Sequence, residues 1–371
     1  MAQIARIYDS NLIGIMVYFI NYLIIPLYYA IIKIAVSDKN KIRKLFFFVI
    51  LLHAVLFRAL ANPFNYVDTE RYAVAFENIS DMTFKEAVLS PNIYSEWGLG
   101  YVGLNWIISR LTSDYAYLFV ILAILSVGGV MLYYYKTTTT PLTTVMLYLL
   151  YPMMYIMGFG VLRQHLAVVF ILWGLYYMDN LKFSIPLAIM GILCHTSALV
   201  VVPFYLMRNI NLQHFTLTKL ISISAIGFYA ITLSIAYVLS FISRYDTVLT
   251  NEGSQRNIVP VFMLGSLLFM FFFSGITNRV KDVKDGNIVR FLIYGFIIAI
   301  IGMTIPRGGR LTLYFIYVIP VAVSLLFKYS TVHLKWINKA YIVLLFALVS
   351  VLVYYSADKY DVYKFYWEYV G

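Results

Sequence analysis

Long apolar runs alternate with short polar breaks along the whole chain. Ten runs are close to the roughly 18 residues that suit a membrane-spanning helix. They lie near 11–36, 45–61, 115–135, 142–158, 163–178, 216–243, 259–277, 289–305, 311–328 and 340–356. Two more, 98–112 and 184–206, are apolar but fit more than one placement. Together the runs take up most of the 371 residues and leave no room for a soluble domain of ordinary size. The pattern predicts an all-α, polytopic membrane protein in a single domain, 1–371. About 10–12 transmembrane helices are expected, with short extracytoplasmic helices at the interface. The first run follows "MAQIARIYDSN", is too long for a signal-peptide core and has no small-residue cleavage site, so it is expected to be retained.

Composition supports this picture. The chain is 62% hydrophobic and only 12% charged, with a mean hydropathy of +0.82, whereas soluble domains carry about 25% charged residues. A net charge of +11 is compatible with nucleic acid, but in a polytopic protein basic residues mark cytoplasmic loops. No nucleic-acid partner is expected. Cys194, the single cysteine, excludes an intrachain disulfide and a cysteine metal cluster.

Loop charge assigns the sides. "SDKNKIRK" at 37–44 carries four basic residues and one acidic, and belongs inside. That places 62–97 outside, with six acidic residues (Asp68, Glu70, Glu77, Asp81, Glu86, Glu96) against Arg71 and Lys85. Its aromatic and apolar content predicts short helices on the outer face. "NRVKDVKDGNIVR" and "KYSTVHLKWINK" belong inside, and 244–258 and 306–310 outside. If 98–112 and 184–206 both span, Lys136 and Lys182 lie outside and Arg163 inside. With 98–112 in the interface and 184–206 re-entrant, Lys136, Lys182 and Arg208 stay inside and Arg163 reaches the outer face, which agrees better with the positive-inside rule.

Several arginines then break the rule: Arg58, Arg163, Arg244, Arg256, Arg307 and Arg310. A charge at mid-bilayer costs about 2.5–3.5 kcal/mol, so such residues are expected to face a cavity or a partner. In "MGFGVLRQHLAV", Gly158 and Gly160 should break one helix, with Arg163 to His165 opening the next. Unpaired amides and the positive dipole end favour an anion there, and a guanidinium fork suits phosphate oxygens. Gln164, about 100° round the helix, can line the same site. The alternative is a polar triplet that only anchors a helix end in headgroups. Arg307 and Arg310 flank Gly308-Gly309 and can converge on one anion.

His195 interrupts "AIMGILCHTSALVVVPF" and is either a packing residue or a general base. Asp68 and Tyr72 share a face at i, i+4 if helical, and Glu96 opens "EWGLGYVGLNWII". Tyr245 and Tyr314 are candidate stacking or hydrogen-bonding contacts, or equally, among 34 tyrosines, residues of an interfacial belt. The sequence contains no HExxH, P-loop, GxSxG or DxD-like pair. A metal-independent transfer without a cofactor is reasonable where arginines neutralise a good leaving group such as a pyrophosphate.

Five stretches carry a family resemblance: "RALANPFNYVDTERY" (Arg58, Asp68, Tyr72), "EWGLGYVGLN" (Glu96, Gly98, Asn105), "GVLRQHLAV" (Arg163, Gln164, Ala167), "LCHTSALVVVP" (His195, Ser197) and "RGGRLTLYF" (Arg310, Tyr314). In this order, over most of the chain, they resemble the EpsG/Wzy-type family of bacterial polysaccharide polymerases, which make O-antigen, capsule and exopolysaccharide. The resemblance implies a multi-pass glycosyltransferase of the cytoplasmic membrane. It would join oligosaccharide repeat units carried on undecaprenyl pyrophosphate at the outer face, alongside a flippase and a chain-length regulator. On that reading Arg163, Arg307, Arg310 and Arg58 hold the pyrophosphate. His195, or else Asp68 or Glu96, deprotonates the acceptor hydroxyl, and Gln164, Tyr72, Tyr245 and Tyr314 line the sugar cleft. The competing readings are a ligase using the same carrier, a His-centred acyltransferase, and a transporter. A transporter predicts matching halves, which the sequence lacks.

Overall fold

In a bilayer every backbone amide and carbonyl must find its partner within the protein, which favours helices. The computed structural model describes residues 20–356 apart from 63, 65, 67, 90–96, 213–215, 227–228, 230–257 and 304–307. The protein is an all-helical, polytopic membrane protein, with no strand among the described residues. Its helices are α1 (Ile20–Ala35), α2 (Lys39–Ala59), α3 (Thr69–Ser80), α4 (Leu99–Ser109), α5 (Tyr115–Thr137), α6 (Pro141–Leu150), α7 (Leu162–Tyr176), α8 (Leu181–Cys194) and α9 (Phe204–Met207). After α10 (Leu217–Ile226) come α11 (Val259–Phe273), α12 (Val283–Gly302), α13 (Leu313–Ile316), α14 (Ile319–Tyr329) and α15 (Lys335–Ser356).

Among the described residues α5, α12 and α15 are long and apolar enough to cross a bilayer, four spans if the bent α13–α14 pair counts as one, and the other apolar helices run to 10–17 residues. The shortening has local causes. The expected span 142–158 stops at Leu150, because Pro152 forces Tyr151 out of the helical region (ψ 113°) and the chain continues as turns. The run 311–328 bends by 42° where Pro320 opens α14. The run 184–206 breaks at His195 into α8 and a 3-10 turn, Thr196–Val201. At 11 residues α4 is about 16 Å long, half the hydrocarbon thickness.

The chain folds as two compact units. One holds Met1–Phe170, Ile189–Thr196 and Phe346–Gly371, and the other holds Ile171–Ala188 and Ser197–Leu345. In the first unit α2 packs along α5, and a column of rings fills the interior. Tyr134, Tyr148, Tyr155 and Phe159 stand edge to face, with successive centroids 5.3–5.7 Å apart. Tyr134, Tyr148 and Tyr155 are buried, so these tyrosines build the core and not an interfacial belt. The predicted short helices of 62–97 form α3 and one π-helical turn, Lys85–Leu89. Ala75, Ile79 and Ala87 pack there with Val102 of α4 under Trp97 and Trp106. Asp114 and Asp38 cap α5 and α2, each accepting from a first-turn amide at 2.7–2.8 Å.

In the second unit α12 is the central helix. Gly295 lets Phe315 lie against its backbone, and Phe291 stacks between Phe204 and Phe315 at 4.9 and 4.7 Å. The first turn of α12 is tied to the end of α14 by Asp285, which takes the Lys328 ammonium and the Tyr329 hydroxyl at 2.6 Å each.

Candidate functional site

The turn before α7 is set by a buried guanidinium. Arg58, in the last turn of α2, donates to Ser126 Oγ of α5 at 2.7 Å and to the Gly158 carbonyl. A side chain at Gly158 would stand 3.1 Å from the Arg58 nitrogen, so glycine gives the guanidinium room for this close approach. The expected helix break at Gly158 and Gly160 therefore lies elsewhere, at Tyr151–Pro152. Gly158 instead sits in a 3-10 turn (Ile156–Phe159), from which the chain enters α7.

Arg163 lies in the first turn of α7 and is half-buried. Its guanidinium carbon is 5.1 Å from the Trp97 ring centre and 5.8 Å from that of Tyr72, and its Nε donates a long bond (3.4 Å) to the Tyr72 hydroxyl. Among the described residues it has no ion-pair partner. Aromatic faces support a cation without taking up its terminal N–H groups. The rings are themselves fixed: Trp97 meets Tyr72 edge-on at 5.2 Å, and Tyr101 packs on both. Tyr72 and Tyr101 are buried.

One backbone contact joins two of the sequence motifs. Gly98, at the start of α4, has φ 89°, and a Cβ there would stand 2.5 Å from the Leu193 carbonyl oxygen and 3.1 Å from that of Cys194. Only glycine allows both the positive φ and the approach. The next residue on one side is Trp97, beneath Arg163, and on the other is His195, half-buried at the break after α8. "EWGLG", "GVLRQ" and "LCH" thus meet within the first unit. Trp97 was missing from the sequence-derived candidates. Its place between an acid and a conformationally special glycine was the available signal.

Asp68 precedes α3 with φ 67°, the one non-glycine residue in the left-handed region among the described residues. It makes no side-chain cap and reaches Arg71 only at 3.9 Å, with both side chains solvent-accessible. A strained backbone holding a carboxylate whose ion pair is long and solvent-accessible is a functional signal. Tyr72 follows one helical turn later.

Three expected ligand contacts are interior instead. Arg58 is buried and bridges α2, α5 and the turn before α7. Gln164 is 1% exposed. Tyr314 is fully buried, with its hydroxyl 2.8 Å from Ser197 Oγ, so neither ring face is open to a sugar. Arg310, in the second unit, is exposed on a 3-10 turn (Gly308–Thr312) that begins where Gly308 lies against the Gly302 backbone. Glu96, Arg307 and Tyr245 lie outside the described residues.

Residues 49–370 match the EpsG family. The chain belongs to the EpsG family. EpsG proteins are polysaccharide polymerases, and the matched span contains every candidate site residue named above. The EpsG assignment makes this a polymerase-type membrane glycosyltransferase. No curated protein and no solved structure matches the chain.

Proposed function

We propose that the protein polymerises oligosaccharide repeat units carried on a polyprenyl diphosphate, undecaprenyl in the family's reading, at the extracytoplasmic face of the cytoplasmic membrane. One observation carries this: the Arg163 guanidinium, propped on Trp97 and Tyr72, has no carboxylate partner among the described residues. A half-buried arginine with no carboxylate on it among the described residues supports the binding of an anionic group, and its planar fork suits diphosphate oxygens.

The transfer balances without a further reactant. A base takes the proton of the acceptor hydroxyl, and the freed oxygen bonds to the anomeric carbon of the growing chain. The bond from that carbon to the diphosphate oxygen breaks, leaving polyprenyl diphosphate on Arg163, where the guanidinium stabilises its developing charge. His195 is the first choice of base because the Gly98 contact ties its backbone to that of Trp97. Asp68, whose carboxylate reaches Arg71 only at 3.9 Å, is the second, and Glu96 the third. Arg307 and Arg310 keep proposed phosphate roles on their own unit, and Tyr72 and Tyr245 proposed roles near the sugars. Arg58, Gln164 and Tyr314 are taken as supports. A flippase and a chain-length regulator are the proposed partners.

The test is to incubate the purified protein in nanodiscs with a polyprenyl-diphosphate-linked repeat unit. A ladder of products spaced by one repeat is expected. Release of free repeat units, or transfer only to a different acceptor, would overturn the reading in favour of a hydrolase or a ligase.

A further inference from the structure

We propose that a cavity beginning one helical turn below Arg163 seats the isoprenoid chain of the substrate while the guanidinium holds its diphosphate. This rests on the lipid-diphosphate reading above and adds the place of the tail. The cavity measures about 470 Å3 and lies wholly within the first unit, walled by Leu104 of α4, Ile124 and Leu132 of α5, Leu166 and Phe170 of α7, and Cys194 of α8. No charged side chain among the described residues borders it. Ile124 and Leu132 are 51% and 50% exposed. They lie on a 23-residue apolar span, so the cavity opens sideways into the bilayer. An apolar cavity of this kind stays dry and takes apolar matter, and its volume is that of an ordinary small-molecule site.

Its connection to the site above selects an anchored amphiphile over an arbitrary membrane chain. Arg163, Leu166 and Phe170 are spaced i, i+3, i+7 and so form one stripe of α7, with the cation at the top and the lining below. The other walls repeat this order. α4 runs from Trp97 and Gly98 at its start to Leu104 in the wall, and α8 ends with Cys194 in the wall directly before His195. Charge, stacking rings and imidazole are thus gathered at one end of an apolar slot. A diphosphate on Arg163 leads its chain down the α7 stripe and out past Ile124 into the bilayer.

The probe is a polyprenyl diphosphate with a diazirine in its isoprenoid chain, photolysed with the full-length protein in phosphatidylcholine nanodiscs. Label is expected on peptides of α5 and α7, displaced by unlabelled polyprenyl diphosphate and not by phosphatidylglycerol. Ile124→Trp, and separately Leu132→Trp, fill the slot from its exposed rim and should cut labelling about tenfold or more with thermal unfolding unchanged. Unaltered labelling in both variants, or equal displacement by phosphatidylglycerol, overturns the proposal. The two readings fail separately. A protein labelled there that makes no ladder keeps the slot and loses the polymerase, whereas a ladder with label elsewhere loses the slot alone.

Discussion

Arg58 and Arg163 sit in the same unit and carry the same charge, yet their surroundings differ in kind. Arg58 is 7% exposed and donates to a hydroxyl and a carbonyl of the protein. Arg163 is half-buried and leans on ring faces, with one long hydrogen bond. The first arrangement uses a cation to hold three segments together. The second holds a cation on ring faces and uses only its Nε in that hydrogen bond. Burial alone does not separate support from function among intramembrane arginines; the identity of the acceptors does.

The largest effect should come from removing the exposed role. Arg163→Ala should lower polymerisation by at least about a hundredfold, the scale of losing one charge-stabilising donor, with thermal unfolding in detergent unchanged. Arg58→Ala should do the reverse. It strands the Gly158 carbonyl, costs about 1–3 kcal/mol, and should appear as a lower Tm with activity falling only as folded protein is lost. If Arg58→Ala abolished turnover at wild-type Tm, the contrast between the two arginines would be wrong.

Gly98→Ala probes the contact that joins the motifs. The positive φ and the Leu193 carbonyl both oppose a side chain, a strain of about 1–3 kcal/mol. Turnover should fall further than stability, because Trp97 and His195 move apart. Trp97→Ala removes one of the two rings under the cation, about 1 kcal/mol, and should raise KM for the lipid-linked substrate several-fold while kcat changes little. An unchanged KM would show that the stacking does not position Arg163 for the ligand.

These expectations also mark where the sequence was legible. Apolar runs announced the helices because a bilayer imposes both length and composition, and the acidic stretch 62–97 did fold into α3 and a further turn. Pro152 and Pro320 shortened or bent runs that hydropathy alone read as continuous. The site was half legible. Arg163 and His195 stood out as polar intrusions, but a guanidinium reads the same in sequence whether it is buried like Arg58 or propped like Arg163. The Gly98–Leu193 contact is backbone against backbone and has no side-chain pattern to announce it. Tyr314 looked like a ligand contact because it follows Arg310, yet burial and Ser197 claim it.

The smallest effect concerns the acidic segment. Thr83 donates to Glu86 from both its backbone amide and its hydroxyl at 2.8 Å, holding that carboxyl below the usual glutamate value. A depressed carboxyl stabilises the fold at neutral pH and loses that contribution as pH falls through its folded-state value. Hydrogen-exchange protection of the 83–89 turn should therefore weaken below the ordinary glutamate range. Glu86→Gln should abolish that pH dependence and leave turnover alone.

The most direct test of the central claim is equilibrium binding of a polyprenyl-diphosphate-linked repeat unit to the wild type, Arg163→Lys and Arg163→Ala in nanodiscs. A guanidinium that grips the diphosphate predicts Kd weaker by about a hundredfold or more in Arg163→Ala, with the lysine variant between because it keeps the charge and loses the fork. The same Kd in all three proteins would contradict it.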